Sequence, residues 1–138
     1  MKRLAMALWL ILAVAIAIVG YVRLAPSDPA RWHRMPEFAA DADLGNGVMR
    51  RTEAGPDGLA RLAALIEASP RTRHLAGSVA EGMVTYVTRS AVIGFPDYTT
   101  IRQDGAALEI FGRARFGRSD LGVNRARVEG WIDALQSG

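Results

Sequence analysis

Five arginines stand among the twenty residues 112–131, in the run GRARFGRSDLGVNRARVEGW, interleaved with glycine, serine, aspartate and asparagine. Guanidinium groups at that density suit three tasks: cradling a phosphate, gripping another anion, or pairing with the chain's own carboxylates. The eight residues GRARFGRS come within one residue of the phosphate-binding loop G-x-x-x-x-G-K-[ST], with Arg118 in the lysine position. Arginine is not a conservative replacement at a phosphate clamp. Only twenty residues follow it, too few for the further parallel strands of a nucleotide-binding fold. Nucleotide hydrolysis is therefore not expected.

Other chemistries find less support. His33 and His74 are the only histidines, lie forty-one residues apart and have no cysteine to join them, so no metal centre is expected. Ser78, His74 and Asp97 could be assembled on paper into a nucleophilic triad, but no G-x-S-x-G elbow accompanies them. We expect no catalytic residue and no cofactor.

Two readings of the arginines remain. In the structural one, Arg113, Arg115 and Arg127 pair with Asp97, Asp120 and Glu129. Asp120 and Asn124 then tie down a strand-to-helix turn, Ser119 or Asp120 caps the helix, and Gly117 and Gly122 supply conformations other residues resist. In the binding one, Arg113 and Arg115 lie ~7 Å apart on one strand face. With Arg89, Arg118, Asn124 and the free N–H groups near residues 120–123, they converge on one anion, flanked by Tyr98 and Phe111.

The elements that must position these groups can be read from periodicity. DYTTIRQDGAALEIFGRAR predicts a hairpin turning at Asp104-Gly105, with Ile101 facing Leu108, Thr99 facing Ile110 and Tyr98 facing Phe111. Leu108, Ile110, Gly112, Ala114 and Phe116 then point inward, and Glu109, Phe111, Arg113 and Arg115 outward. Val128, Trp131, Ile132 and Leu135 recur at helical spacing after the turn, where the small Gly112 and Ala114 let a helix approach. Asp57 can cap an earlier helix carrying Leu59, Leu62, Ala63 and Ile66. GMVTYVTRSAVI reads as a further strand, and residues 37–56 as irregular. The predicted class is α+β: an antiparallel sheet of about four strands covered by two helices, preceded by one N-terminal transmembrane helix.

That last element is the plainest signal in the chain. LAMALWLILAVAIAIVGYV, Leu4 to Val22, holds neither a charge nor a proline over nineteen residues, close to what a bilayer core requires. A cleavable signal would have a shorter apolar region ending in small residues, whereas Ala13, Ala15 and Ala17 lie deep inside this one. Retention as an anchor is expected. Lys2 and Arg3 precede it and favour a cytoplasmic N-terminus, which sends a long C-terminal segment across. This gives an anchor over residues 1–23, a proline-rich tether over 24–36 and an α+β domain over 37–138. The chain would sit in the cytoplasmic (inner) membrane as a single-pass protein with a periplasmic domain. Setting aside Lys2, Arg3 and Arg23 leaves fourteen basic against fourteen acidic residues, so no nucleic-acid partner is expected. The expected partners are the bilayer itself and, beyond it, an anionic lipid or another envelope protein.

The string Arg113, Arg115, Gly117, Ser119, Asp120, Gly122, Asn124, Arg127 and Val128, with PRTRHLAGS and TYVTRS upstream, resembles the bacterial family catalogued as domain of unknown function 1499. The likeness runs over roughly residues 28–136. Gly112 and Ala114 stand where that family's pattern has serines. The resemblance implies a compact domain found in cell-envelope proteins and implies no reaction. Non-catalytic binding or scaffolding is the expected role, with an envelope enzyme using an arginine-lined anion pocket as the alternative.

Overall fold

The computed structural model of the chain describes residues 1–38 and 40–138. Helix α1 runs Lys2–Leu24, and at ~1.5 Å per residue it is about 35 Å long. It is long and apolar enough to cross a membrane. Only Val22, in its last turn, is buried against the rest of the protein. Ala25 ends it with φ −59° and ψ 123°, because a residue before proline (here Pro26) is pushed out of the helical region. A single turn, α2 (Pro29–Trp32), follows; the Asp28 carboxylate accepts the Ala30 N–H at 2.9 Å and Pro29 occupies the first helical position.

Six antiparallel strands form one sheet: β1 (Ala42–Leu44), β2 (Gly47–Glu53), β3 (Thr72–Ser78), β4 (Met83–Arg89), β5 (Pro96–Asp104) and β6 (Ala107–Ala114), in the order β1-β2-β6-β5-β4-β3. Helices α3 (Gly58–Glu67) and α4 (Val123–Ser137) cover one face. The core between them gathers Val48, Val84, Tyr86, Ile101, Leu108 and Ile110 from the sheet, Leu59, Leu62, Ala63 and Ile66 from α3, and Val128, Trp131 and Leu135 from α4. Both helical stripes therefore point inward as their spacing predicts. Asp57 occupies the cap position of α3 but makes no side-chain cap bond. The amide oxygen of Gln103, from β5, accepts the Leu59 N–H instead, at 2.9 Å.

The sheet has six strands rather than about four. β3 falls in a stretch given no strand reading, and β1 and β2 lie in the segment read as irregular, for a chemical reason. Of β2, only Val48 joins the core cluster, while Arg50 and Arg51 turn to Asp43, Glu129, Asp104 and Glu109. A strand whose side chains go largely to ion pairs has little apolar alternation to reveal it. The hairpin register also differs: Ile101 pairs Ile110, Thr99 pairs Gly112 and Tyr98 pairs Arg113. The turn centres on Gly105-Ala106, with Gly105 left-handed (φ 61°) and Ala106 not, the φ pattern of a type II′ turn. Each partner moves by two residues, which is the pleat period, so both faces keep the side chains expected of them as far as Ala114. Phe116, read as inward, lies past the end of β6 and packs against Tyr21 and Phe95 instead.

Thr99 faces the helices. Its Oγ1 is the one buried side-chain polar atom without a hydrogen-bond partner among the described residues. Thr99→Val keeps the shape and removes the stranded hydroxyl, so it is expected to stabilise the domain by about 1 kcal/mol. A thermal melt of the full chain in detergent should shift up by roughly 4–8 °C; a lowered melt would mean that the hydroxyl has a partner.

Candidate functional site

The face of the sheet opposite the helices is covered by the chain itself. Residues 25–33 leave α1 and cross it as a strap. Trp32 stacks on Tyr98, with centroids 4.1 Å apart and planes 15° from parallel. Ser27 and Tyr98 share a hydroxyl hydrogen bond of 2.7 Å, and His33 Nδ1 shares one of 2.9 Å with Thr85 Oγ1. The outward side of β6 is therefore buried. Arg113 is 5% exposed. It donates to Thr100 Oγ1 (2.8 Å), to the Phe111 carbonyl (3.1 Å) and to the Trp32 carbonyl. Its guanidinium lies 4.4 Å from the Phe111 ring centroid. Burial, with the charge of Arg34 adding to it, brings its pKa down to about 10. Arg115 is half-buried and donates to the Pro26 carbonyl (2.9 Å) and the Tyr98 hydroxyl (3.2 Å).

Among the described residues neither Arg113 nor Arg115 forms an ion pair, and of the three pairings expected around the turn one is present. Arg127 donates to Asp97 at 3.1 Å and to Asn124 Oδ1 at 3.1 Å. Glu129 instead meets Arg50, and Asp120 meets no arginine. Asp120 accepts from the Gly122 N–H (2.9 Å), the Asn124 N–H (3.1 Å) and the Asn124 amide (3.0 Å), so it ties down the start of α4 from two residues ahead of the cap. Burial alone would raise its pKa; the bonds from Asn124 and Gly122 outweigh that and hold it below the usual carboxylate value. Asp97 shows the reverse balance: its burial outweighs the bond from Arg127, and its pKa is raised. Asn124 is fully buried and packs beside Gly112, where a Cβ would come within 3.4 Å of its amide oxygen and 3.2 Å of Val128. Gly117 and Gly122 are both left-handed, at φ 86° and 77°. The Ser119 hydroxyl accepts the Leu121 N–H at 3.3 Å, and Arg118 is exposed.

The arginine-rich segment thus divides between two faces. Arg113 and Arg115 hold the strap; Asn124, Asp120, Asp97 and Arg127 form a polar knot under α4. Arg89 belongs to a third place. Its Nη1 donates to the Val22 carbonyl at 3.1 Å and to the Gly94 carbonyl at 2.8 Å, joining the last turn of α1 to the β4–β5 loop. Arg23 completes the joint by donating to the carbonyls of Ile93 and Val92. Around this joint stand Arg71 and Arg73, which sequence reasoning missed. With Arg23 and Arg89 they come from three separated segments and share no motif; only the fold places them together.

The paper triad does not assemble. His74 Nε2 donates to the Gly77 carbonyl (2.7 Å), Ser78 bonds Glu81 (3.0 Å), and Asp97 is held by Arg127.

Residues 23–135 match the family described as Protein of unknown function (DUF1499). No curated protein matches the chain.

Proposed function

This chain belongs to the DUF1499 family, whose description carries no activity, and we propose for it a non-catalytic role: binding or scaffolding at the surface of the membrane that anchors it. In this reading the protein is a single-pass component of the cytoplasmic membrane with its domain on the periplasmic side. Its partners are the bilayer and an anionic lipid or another envelope protein. One observation carries the proposal. The last turn of α1 is built into the domain by Arg89 and Arg23, with Val22 buried at 4% exposure. A domain fixed in this way cannot swing freely on a flexible leash; it presents one end of its sheet to the leaflet. That end carries the β1–β2 turn, the β4–β5 loop and the β6–α4 connection.

The chain contains no cysteine, so a single reporter tests the arrangement. Ala106→Cys sits in the exposed hairpin turn at the opposite end of the sheet. In cells with a permeabilised outer membrane it should react with a membrane-impermeant maleimide, and the protein should stay in the carbonate-washed membrane pellet. Labelling only after lysis would reverse the orientation. Release by carbonate would remove the anchor.

A further inference from the structure

We infer that the cleft where α1 enters the domain holds the phosphate of an anionic lipid, while the tip of the β4–β5 loop dips into the same leaflet. The inference rests on the anchored reading above and deepens it by naming the ligand class and the residues.

The cleft has a volume of about 460 Å³ and is bounded by Arg23, Arg71, Arg73 and Arg89, with Thr72 and Ser90 between them. It adjoins a second hollow of about 450 Å³ that shares Arg23, Arg73 and Arg89. No carboxylate lines either one. The ion pairs among the described residues draw on Arg50, Arg51, Arg61, Arg102, Arg125 and Arg127, and on none of these four. The bonds that Arg23, Arg71 and Arg89 do make go to backbone carbonyls. Such bonds aim a guanidinium without neutralising it, and each group has five donors to share. Four uncompensated cations around one concavity repel one another, and an anion relieves that repulsion. A phosphate suits them because its oxygens accept the paired N–H groups of arginine.

The position of the cleft selects the source of that phosphate. Arg23 directly follows the apolar run of α1, at the depth where a side chain leaves hydrocarbon for headgroups. Because Arg23 bonds the carbonyls of Val92 and Ile93, the loop tip lies level with that last helical turn. Val92 is 81% exposed. An apolar side chain presented there gains from the bilayer interface what it lacks in water. The backbone adds a second sign. Only Arg71 and Leu121 adopt positive φ without being glycine among the described residues (55° and 54°), and both lie at this end of the sheet. Strain of that kind concentrates where the surrounding structure imposes a required geometry.

The full chain, purified in a neutral detergent, can be examined by native mass spectrometry with phosphatidylglycerol, phosphatidylcholine or inorganic phosphate added. The wild type should retain one phosphatidylglycerol in preference to phosphatidylcholine. Arg71→Ala with Arg73→Ala should raise the concentration for half-occupancy roughly 25-fold, since each interfacial arginine is worth about fivefold. Arg61→Ala with Arg125→Ala removes the same charge from residues that line neither hollow and should change it less than about twofold, the small effect usual for exposed positions. A thermal melt confirms that each variant is folded. Val92→Cys carrying an environment-sensitive dye, in nanodiscs, should be quenched by shallow doxyl lipids, and Ala106→Cys should not. Equal losses from the two double variants, no preference for the anionic lipid, or an unquenched Val92→Cys would overturn the inference. Displacement of the lipid by millimolar phosphate would assign the cleft to free phosphate and also overturn it. If lipid selectivity is absent while the chain still resists carbonate, the anchored reading stands and this inference alone fails.

Discussion

Arg113→Met is expected to destabilise the domain by about 3 kcal/mol, while Arg115→Ala costs about 1 kcal/mol or less. The two arginines share a strand face and differ in what surrounds them. Arg113 is buried, and three charge-assisted hydrogen bonds at about 1.5–3 kcal/mol each hold it to Thr100, Phe111 and the Trp32 carbonyl. Against them stands the desolvation that lowers its pKa from 12.5 to about 10, an opposing contribution of order 3 kcal/mol. The bonds win, and the net is of the same order. Methionine fills most of the volume but leaves the Trp32 carbonyl and the Thr100 hydroxyl short of a donor. The Thr100–Thr85 bond (2.8 Å) and the Thr85–His33 bond lie next along the chain of hydroxyls, so the loss spreads towards the strap. Arg115 is half-buried, and its released partners are reached by water. The sign of the pH effect follows from linkage. A base whose folded pKa is lowered costs stability at every pH below that pKa, and the cost is relieved only as pH rises through about 10. The difference between wild type and Arg113→Met should therefore be flat across the neutral range. Denaturant titration in detergent measures both, and an unchanged midpoint for Arg113→Met would return this arginine to the binding reading.

What the sequence discloses and what it hides divide along one physical line. Burial against a helix leaves a periodic trace, so the stripes of α3 and α4, the faces of β5 and β6 and the transmembrane-length helix are all legible. Burial under the chain's own non-repetitive strap leaves none. Nothing in the alternation of β6 distinguishes Arg113 at 5% exposure from a solvated arginine, because the covering group is a carbonyl at Trp32, eighty-one residues away. The same blindness applies to Glu109. It is 4% exposed and clasped by Arg51 and Arg102, on a face that pattern alone assigns to solvent. Arg102 stands directly across the hairpin from Glu109, within reach of any reading of that turn, whereas Arg51 is not, since β2 has no apolar signature. Arg127 and Asp97 are among the groups expected to pair around the turn, although thirty residues separate them. The four arginines at the anchor joint could not be found, because they meet only after the sheet forms.

The strap also makes Gly77 one of the most sensitive positions in the chain. Gly77→Ala is expected to cost about 4 kcal/mol, from two causes that can be separated. Gly77 is left-handed (φ 79°) just beyond a bulge between His74 and Ala76 in β3, and a Cβ there costs about 1–2 kcal/mol through the backbone alone. That Cβ would also meet the Met83 carbonyl, which the β3–β4 ladder holds in place, and would come within 2.6 Å of His33 Cε1. Overpacking of this kind adds roughly 1–3 kcal/mol. Only the contact with His33 can be relieved by moving the strap. His33→Ala alone loses its bond to Thr85, at about 1 kcal/mol. Introduced into Gly77→Ala, it should recover part of the damage, so the double variant is less destabilised than the sum of the two by about 1–2 kcal/mol. Additivity would mean that His33 does not rest on Gly77 and that the strap is looser than its contacts imply. Coupling would show that a histidine a few residues past α1 and a glycine at the far edge of the sheet form one seat. The end of α1 would then be fixed on two sides, by Arg89 at its last turn and by His33 on the sheet.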